Sequence, residues 1–155
     1  MQIIELKDRP DITGNDKGSK AYLQLAALLS EIRKRELPDA VAGLINNDVV
    51  ALNAIPDGGN ELLKAIRQRQ GNMIKNLEKH VKVVTKNYYR NIWLPVGMTA
   101  FGLPIGVTIG VSLGKMGLLG VGLPIGMFIG ILVGVSLDKK ALKEGRQMDI
   151  DIKYY

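Results

Sequence analysis

The sequence predicts an all-α membrane protein, with a two-helix transmembrane hairpin and a small N-terminal cytoplasmic helical domain. Three observations carry that prediction. Residues Asn91 to Leu137, 47 in all, hold one charge, Lys115, and 11 of the 18 glycines of the chain. Glycine recurs within them every four residues, in two series. Basic residues cluster immediately before the stretch and again immediately after it. The mean composition hides all this, because 46% hydrophobic residues in a 155-residue chain is ordinary, whereas so long a stretch without charge is foreign to a water-exposed fold.

Residues 1–17, with Ile3 and Ile4 among Asp8, Pro10, Asp11, Gly14 and Asp16, read as a flexible arm or a short strand. Residues 18–59 read as the small cytoplasmic helical domain. Ser19 is expected to cap a helix that carries Tyr22, Leu25, Leu28, Leu29 and Ile32 on one face and Arg33, Lys34 and Arg35 near its end. Pro38 stops that helix. Two short helices, about 39–45 and 48–54, are expected before Pro56-Asp57-Gly58-Gly59 breaks the chain. Asp57-Gly58-Gly59-Asn60 lacks the spacing of a phosphate loop and reads as a turn and helix cap.

Residues 60–90 read as one basic amphipathic connecting helix. On a helical wheel Lys75, Lys79, Lys82, Lys86 and Arg90 fall on one side, and Leu62, Ile66, Met73, Leu77, Val81, Val84 and Tyr88 on the other. Eight basic residues between 62 and 90 oppose Glu78 alone, so the +6 of the whole chain is concentrated here. A polybasic stripe beside a membrane crossing attracts anionic lipid headgroups, by about 1 kcal/mol per residue near the surface. Lys75, Lys79, Lys82, Lys86, Arg90, Trp93, Lys139 and Lys140 are therefore the expected headgroup contacts. The apolar face is expected to pack on the helices of residues 19–55. Nucleic acid is not an expected partner despite a pI near 9.6, because no aromatic stacking set or groove-reading motif accompanies the charge.

Residues 91–137 contain uncharged runs on either side of Lys115, each longer than the roughly 20 residues that cross a hydrocarbon core of about 30 Å. Crossings at about 92–113 and 117–137 follow, with Gly114-Lys115-Met116-Gly117 as the turn. Basic residues flank both outer ends and the turn has one lysine, so both termini are expected in the cytoplasm. Gly102-Leu103-Pro104-Ile105-Gly106 recurs as Gly122-Leu123-Pro124-Ile125-Gly126, and Val111-Ser112-Leu113-Gly114-Lys115 matches Val135-Ser136-Leu137-Asp138-Lys139. The helix-packing candidates are Gly102, Gly106, Gly110 and Gly114 on the first crossing and Gly122, Gly126, Gly130 and Gly134 on the second. A four-residue step keeps each series on one slowly winding face where a second backbone can approach. The series are expected to join the hairpin to itself and also to pack copies together. Pro104 and Pro124 each remove an amide donor and are expected to kink their helices. Thr99, Thr108, Ser112 and Ser136 are available to bond the freed carbonyls of Ala100 and Gly120.

Residues 102 to 134, with their GLPIG repeats and GxxxGxxxG ladders, resemble the broad class of bacterial glycine-zipper membrane hairpin proteins. The resemblance implies tight helix packing, with the hairpin in a bacterial inner membrane, and no particular activity. Rotary-ATPase proteolipids are also glycine-laddered hairpins, but they carry an ion on a mid-membrane carboxylate, and no acid stands between Arg90 and Asp138.

Residues 138–155 read as a cytoplasmic tail. Its last seven residues alternate in a strand-like way and are expected to add to a sheet edge, with the Ile3-Ile4 arm as the candidate. With no cysteine and a single histidine, His80, the chain offers no thiolate or multi-histidine metal site and no nucleophile relay. No enzyme activity, metal or cofactor is expected. The expected partners are anionic lipids and either further copies or a partner membrane protein. The function read from the sequence is a membrane-anchored interaction module, and the alternative is a homo-oligomeric pore or membrane-perturbing effector.

Overall fold

The computed structural model describes residues 2–9, 17–56 and 59–153; of Gly59 and Met116 it describes the backbone alone. Asp11, Gly14, Asp16, Asp57, Gly58 and the two terminal tyrosines lie outside the described residues. The chain divides into two compact units, Met1–Thr85 with Met148–Tyr155, and Lys86–Gln147.

The first unit is built on three helices, α1 (Lys17–Arg33), α2 (Asp39–Asn53) and α3 (Gly59–Val81). Leucines and isoleucines at helical spacing meet in its core: Leu25, Leu28, Leu29 and Ile32 from α1, Ile45, Val49 and Leu52 from α2, and Leu62, Ile66, Met73 and Leu77 from α3, all buried. The apolar face of α3 thus packs on α1 and α2. Ser19 does not cap α1. It lies inside the helix and is buried. The two short helices expected between residues 39 and 54 are one, α2, because Asn46 and Asn47, which fell between the two expected helices, continue it. The side chain of Asn46 bonds elsewhere, to Ile4 and Gln2, so it does not compete for the backbone of α2. At the end of α1, the hydrogen bond from Lys34 holds the Glu31 carboxyl below the usual carboxylate range.

The connecting helix does not reach residue 90. It stops at Val81, where Lys82 adopts a left-handed conformation, φ 56°. The Lys82 amide closes the end on Glu78 O at 3.1 Å and the Val83 amide reaches Leu77 O at 3.3 Å. Val83, Val84 and Thr85 are buried, and Val84–Lys86 forms strand β1. β-branched residues suit a pleated strand better than a helix. β1 pairs with β2 (Gln147–Asp151) in a two-stranded sheet. The tail therefore joins the first unit through β1, not through the Ile3-Ile4 arm, and among the described residues this ribbon is the one departure from an all-α fold. The amide of Gln24 fixes the tail further, accepting from Lys153 N at 2.8 Å and donating to Lys153 O at 3.1 Å.

A side chain at φ 56° is strained in a way that glycine is not. Lys82→Gly is expected to raise the stability of the first unit by about 0.5–1 kcal/mol, read as a higher unfolding midpoint in urea. The exposed Lys82–Glu78 pair at 3.4 Å is too weak to reverse that sign.

The second unit is a helical hairpin. Asn87, also left-handed at φ 57°, turns the chain into α4 (Tyr88–Gly97). A π-helical turn (Met98–Gly102) and α5 (Leu103–Ser112) complete one continuous helix. A short 3₁₀ turn (Met116–Leu118) leads into α6 (Leu119–Lys143). Tyr88–Ser112 and Leu119–Lys143 are each 25 residues, long and apolar enough to cross a membrane. Both extend past the expected crossings at the end that carries the basic residues.

Candidate functional site

The hairpin has an unusual interior. Among the described residues its buried positions are Gly97, Gly102, Gly106, Gly110, Gly122, Gly126, Gly130, Gly134, Asp138 and Ala141. No large apolar side chain is among them. Phe128 is 62% exposed, Val111 64% and Leu132 53%. The core of a water-soluble hairpin would be filled with leucine and valine, which here point outward.

What holds the helices together is backbone against backbone. A methyl group added at Gly102, Gly106, Gly122, Gly126, Gly130 or Gly134 would fall within 3.0 Å of main-chain atoms of the opposite helix. Gly122 lies against Gly102 and Gly106, Gly126 against Gly97 and Gly102, Gly130 against Trp93 and Gly97, and Gly134 against Arg90. The carbonyls of Trp93, Gly97 and Gly102 face opposing glycines at this range, the geometry in which Cα–H groups and dispersion supply the attraction. Two of the eight ladder glycines stand outside the seam. Gly110 makes only ordinary contact with Leu119, and Gly114, with nothing near it, supplies the turn at φ 60°. The seam glycines thus face the other arm of the same chain.

Gly97 belongs to the seam although it lies five residues before Gly102. Five residues of α-helix would turn it about 140° away from the Gly102 face. The π turn between them absorbs one extra residue and restores the register, with Leu103 N–H bonding to Met98 O. Pro104 follows directly, as the second residue of α5. Pro124 is the sixth residue of α6, which continues unbroken to Lys143. The hydroxyls do not reach Ala100 or Gly120. Thr99 bonds Pro95 O at 3.0 Å and Val96 O at 3.2 Å, Thr108 bonds Pro104 O at 2.8 Å, and Ser136 bonds Leu132 O at 2.8 Å. Each takes a carbonyl on its own preceding turn, the nearest acceptor in an apolar setting.

The end of the hairpin opposite Lys115 is closed by Asp138, a residue sequence reasoning passed over. Its carboxylate accepts the backbone N–H of Tyr89 and of Arg90, one on each oxygen, both at 3.0 Å. Asp138 is 8% exposed. A buried anion on the first amides of α4 satisfies two orphan donors and meets the positive end of the helix dipole. Asn87, the residue before α4, makes no side-chain cap. Beyond α6, Arg146 hydrogen-bonds Glu144 and Tyr89; the Glu144 carboxylate in particular holds its guanidinium above its ordinary range.

No protein-family model matches this chain, and no curated protein or solved structure matches it significantly.

The expected headgroup residues divide between the units. Arg90 and Trp93 on α4 and Lys139 and Lys140 on α6 share one end of the hairpin, since Gly134 abuts Arg90 and Gly130 abuts Trp93. Lys75 and Lys79 are exposed on α3, Lys82 lies in the turn after it and Lys86 on β1. The continuous basic stripe expected over residues 75–90 does not exist, because the helix that would carry it ends at Val81. Among the described residues no three His, Asp or Glu side chains converge in a way that could hold a metal ion.

Proposed function

We propose that this protein is a non-enzymatic integral membrane protein of the bacterial inner membrane. The glycine hairpin anchors it, both chain ends are cytoplasmic, and the three-helix unit is the interaction module presented at the membrane. One observation carries the reading: the hairpin buries glycine and exposes phenylalanine, leucine and valine. In water such a surface would drive aggregation, whereas a hydrocarbon core solvates it. Arg90, Trp93, Lys139 and Lys140 at one end suit the cytoplasmic headgroup layer, and the single Lys115 suits the far side.

Anchoring is favoured over a pore by two features. The glycine faces that would pack a ring of copies are occupied within the hairpin. The hydroxyls of Thr99, Thr108 and Ser136 are bonded to their own helices, which leaves little to line a water-filled path.

Single cysteines test the topology cleanly because the chain has none of its own. A membrane-impermeant maleimide added to intact cells is expected to label Lys115→Cys and to spare Lys20→Cys, an exposed position on α1, until the cells are lysed. Labelling in the reverse order overturns the orientation. Release of the protein from membranes by alkaline carbonate overturns the insertion.

A further inference from the structure

Residues 2–9 lie outside the sheet, and side chains rather than a neighbouring strand read their backbone. Asn46 accepts from Ile4 N at 2.8 Å and donates to Gln2 O at 2.9 Å. Asn53 accepts from Lys7 N at 2.7 Å and donates to Glu5 O at 3.0 Å. Each amide brackets one residue, Ile3 or Leu6, which turns inward and is half-buried, while Gln2, Ile4, Glu5, Lys7 and Asp8 are exposed. Three residues further on, Arg9 is 3% exposed and donates to Leu52 O and Ile55 O, both at 2.9 Å, at the C-terminal end of α2. From α1, Tyr22 donates to Lys7 O at 2.6 Å and Arg33 to Ile4 O at 3.0 Å.

Burial and hydrogen bonding both repeat every three residues along this segment, so it is no strand, whose period is two. The spacing of the reader matches. Asn46 and Asn53 are seven residues apart on a helix, about 10.5 Å, and three extended residues advance about 9–10 Å. Two amides at that spacing read main chain whatever its sequence. The half-buried settings of Ile3 and Leu6 and the carbonyls at the end of α2 then select side chains.

We propose that α1 and α2 form a receptor for an extended peptide of the pattern apolar-x-x-apolar-x-x-Arg. Residues 2–9 are its resident occupant, and the same segment of a second copy of this chain takes the site by exchange. A second copy meets every contact by identity, which makes exchange of an identical segment inexpensive. The segment's inward side chains are only half-buried apart from Arg9, so its release exposes little apolar surface and is a local event.

This names a partner for the interaction module proposed above, and the test is independent of insertion. Purified full-length protein in detergent is titrated with a fluorescent synthetic peptide of residues 2–9. Saturable binding is expected, weakened at least about tenfold when the positions of Ile3, Leu6 and Arg9 in the peptide are alanine, and to a similar degree by Asn46→Ala with Asn53→Ala in the protein. Two populations of the protein carrying different tags are expected to co-purify after mixing and to separate when excess peptide is added. Absence of peptide binding, equal binding of the alanine peptide, or co-purification that the peptide does not release would overturn the proposal. The alanine peptide acts on unaltered protein, so a folding defect in the asparagine variant cannot mask the result. Failure here leaves the cysteine-labelling result standing, and the converse holds.

Discussion

Alanine at Gly122 or Gly126 is expected to unseat the hairpin, with a loss of about 3 kcal/mol or more in mild detergent, followed by thermal or denaturant unfolding. The added methyl group at either position meets backbone atoms of Gly97, Gly102 or Gly106. A neighbouring side chain could change rotamer to make room, but backbone cannot, so the helices must separate along the seam. Overpacking a site that can adjust already costs about 1–3 kcal/mol, and here the adjustment forfeits the contacts that hold the pair. The comparison that decides the matter is Gly120→Ala. Gly120 lies on the same helix with nothing near its missing side chain. Alanine there gains up to about 1 kcal/mol of helix propensity, so the two substitutions carry opposite signs. Equal losses at Gly120 and Gly122 would show that the seam is not where the structure places it.

The contrast also explains how much of the hairpin was legible in the sequence. Bilayer thickness and the four-residue glycine period are local patterns, and they locate both helices to within a few residues. The same period misassigns the ends of the ladder. Gly97 fails the four-residue rule because a π turn, invisible to a fixed period, supplies the fifth residue. Gly110 and Gly114 obey the rule, yet Gly110 makes only ordinary contact and Gly114 lies in the turn. In the first unit the buried faces of α1 and α3 were readable from helical spacing as far as Leu77. The break after Val81 was not. Lysine, rather than glycine or asparagine, holds the left-handed position at 82, so no conventional stop signal marks it. Val83-Val84-Thr85 did carry a strand signal, but a partner more than 60 residues away was needed to realise it. The amides that read residues 2–7 escaped for a similar reason: Asn46 looks like a helix breaker until its distant backbone partner is known.

Asp138→Ala is expected to open the other end of the hairpin, at a cost of about 3–6 kcal/mol. The carboxylate makes two charge-assisted bonds to the first amides of α4, and each such bond contributes about 1.5–3 kcal/mol when its partner would be left unsatisfied. Asp138→Asn keeps one acceptor and loses the charge, so a loss of about 1–2 kcal/mol is expected, while the exposed neighbour Lys139→Ala should change stability by less than about 0.5 kcal/mol. Hydrogen exchange gives the sharper reading. Protection at the Arg90 amide should fall by about a hundredfold in Asp138→Ala and stay unchanged in Lys139→Ala; equal protection in all three variants would rule out the cap. The repeat alignment held the clue, since Asp138 stands where the first copy has Gly114, so one copy ends in a turn and the other in an acid. A helix ordinarily starts with a cap from the residue just before it. Asn87 is left-handed and makes no cap, and the substitute comes from 49 residues further along the chain, measured from Tyr89. The first amides of α4 are therefore satisfied by Asp138 only when α6 is docked against it, which couples the glycine seam to the hairpin's base.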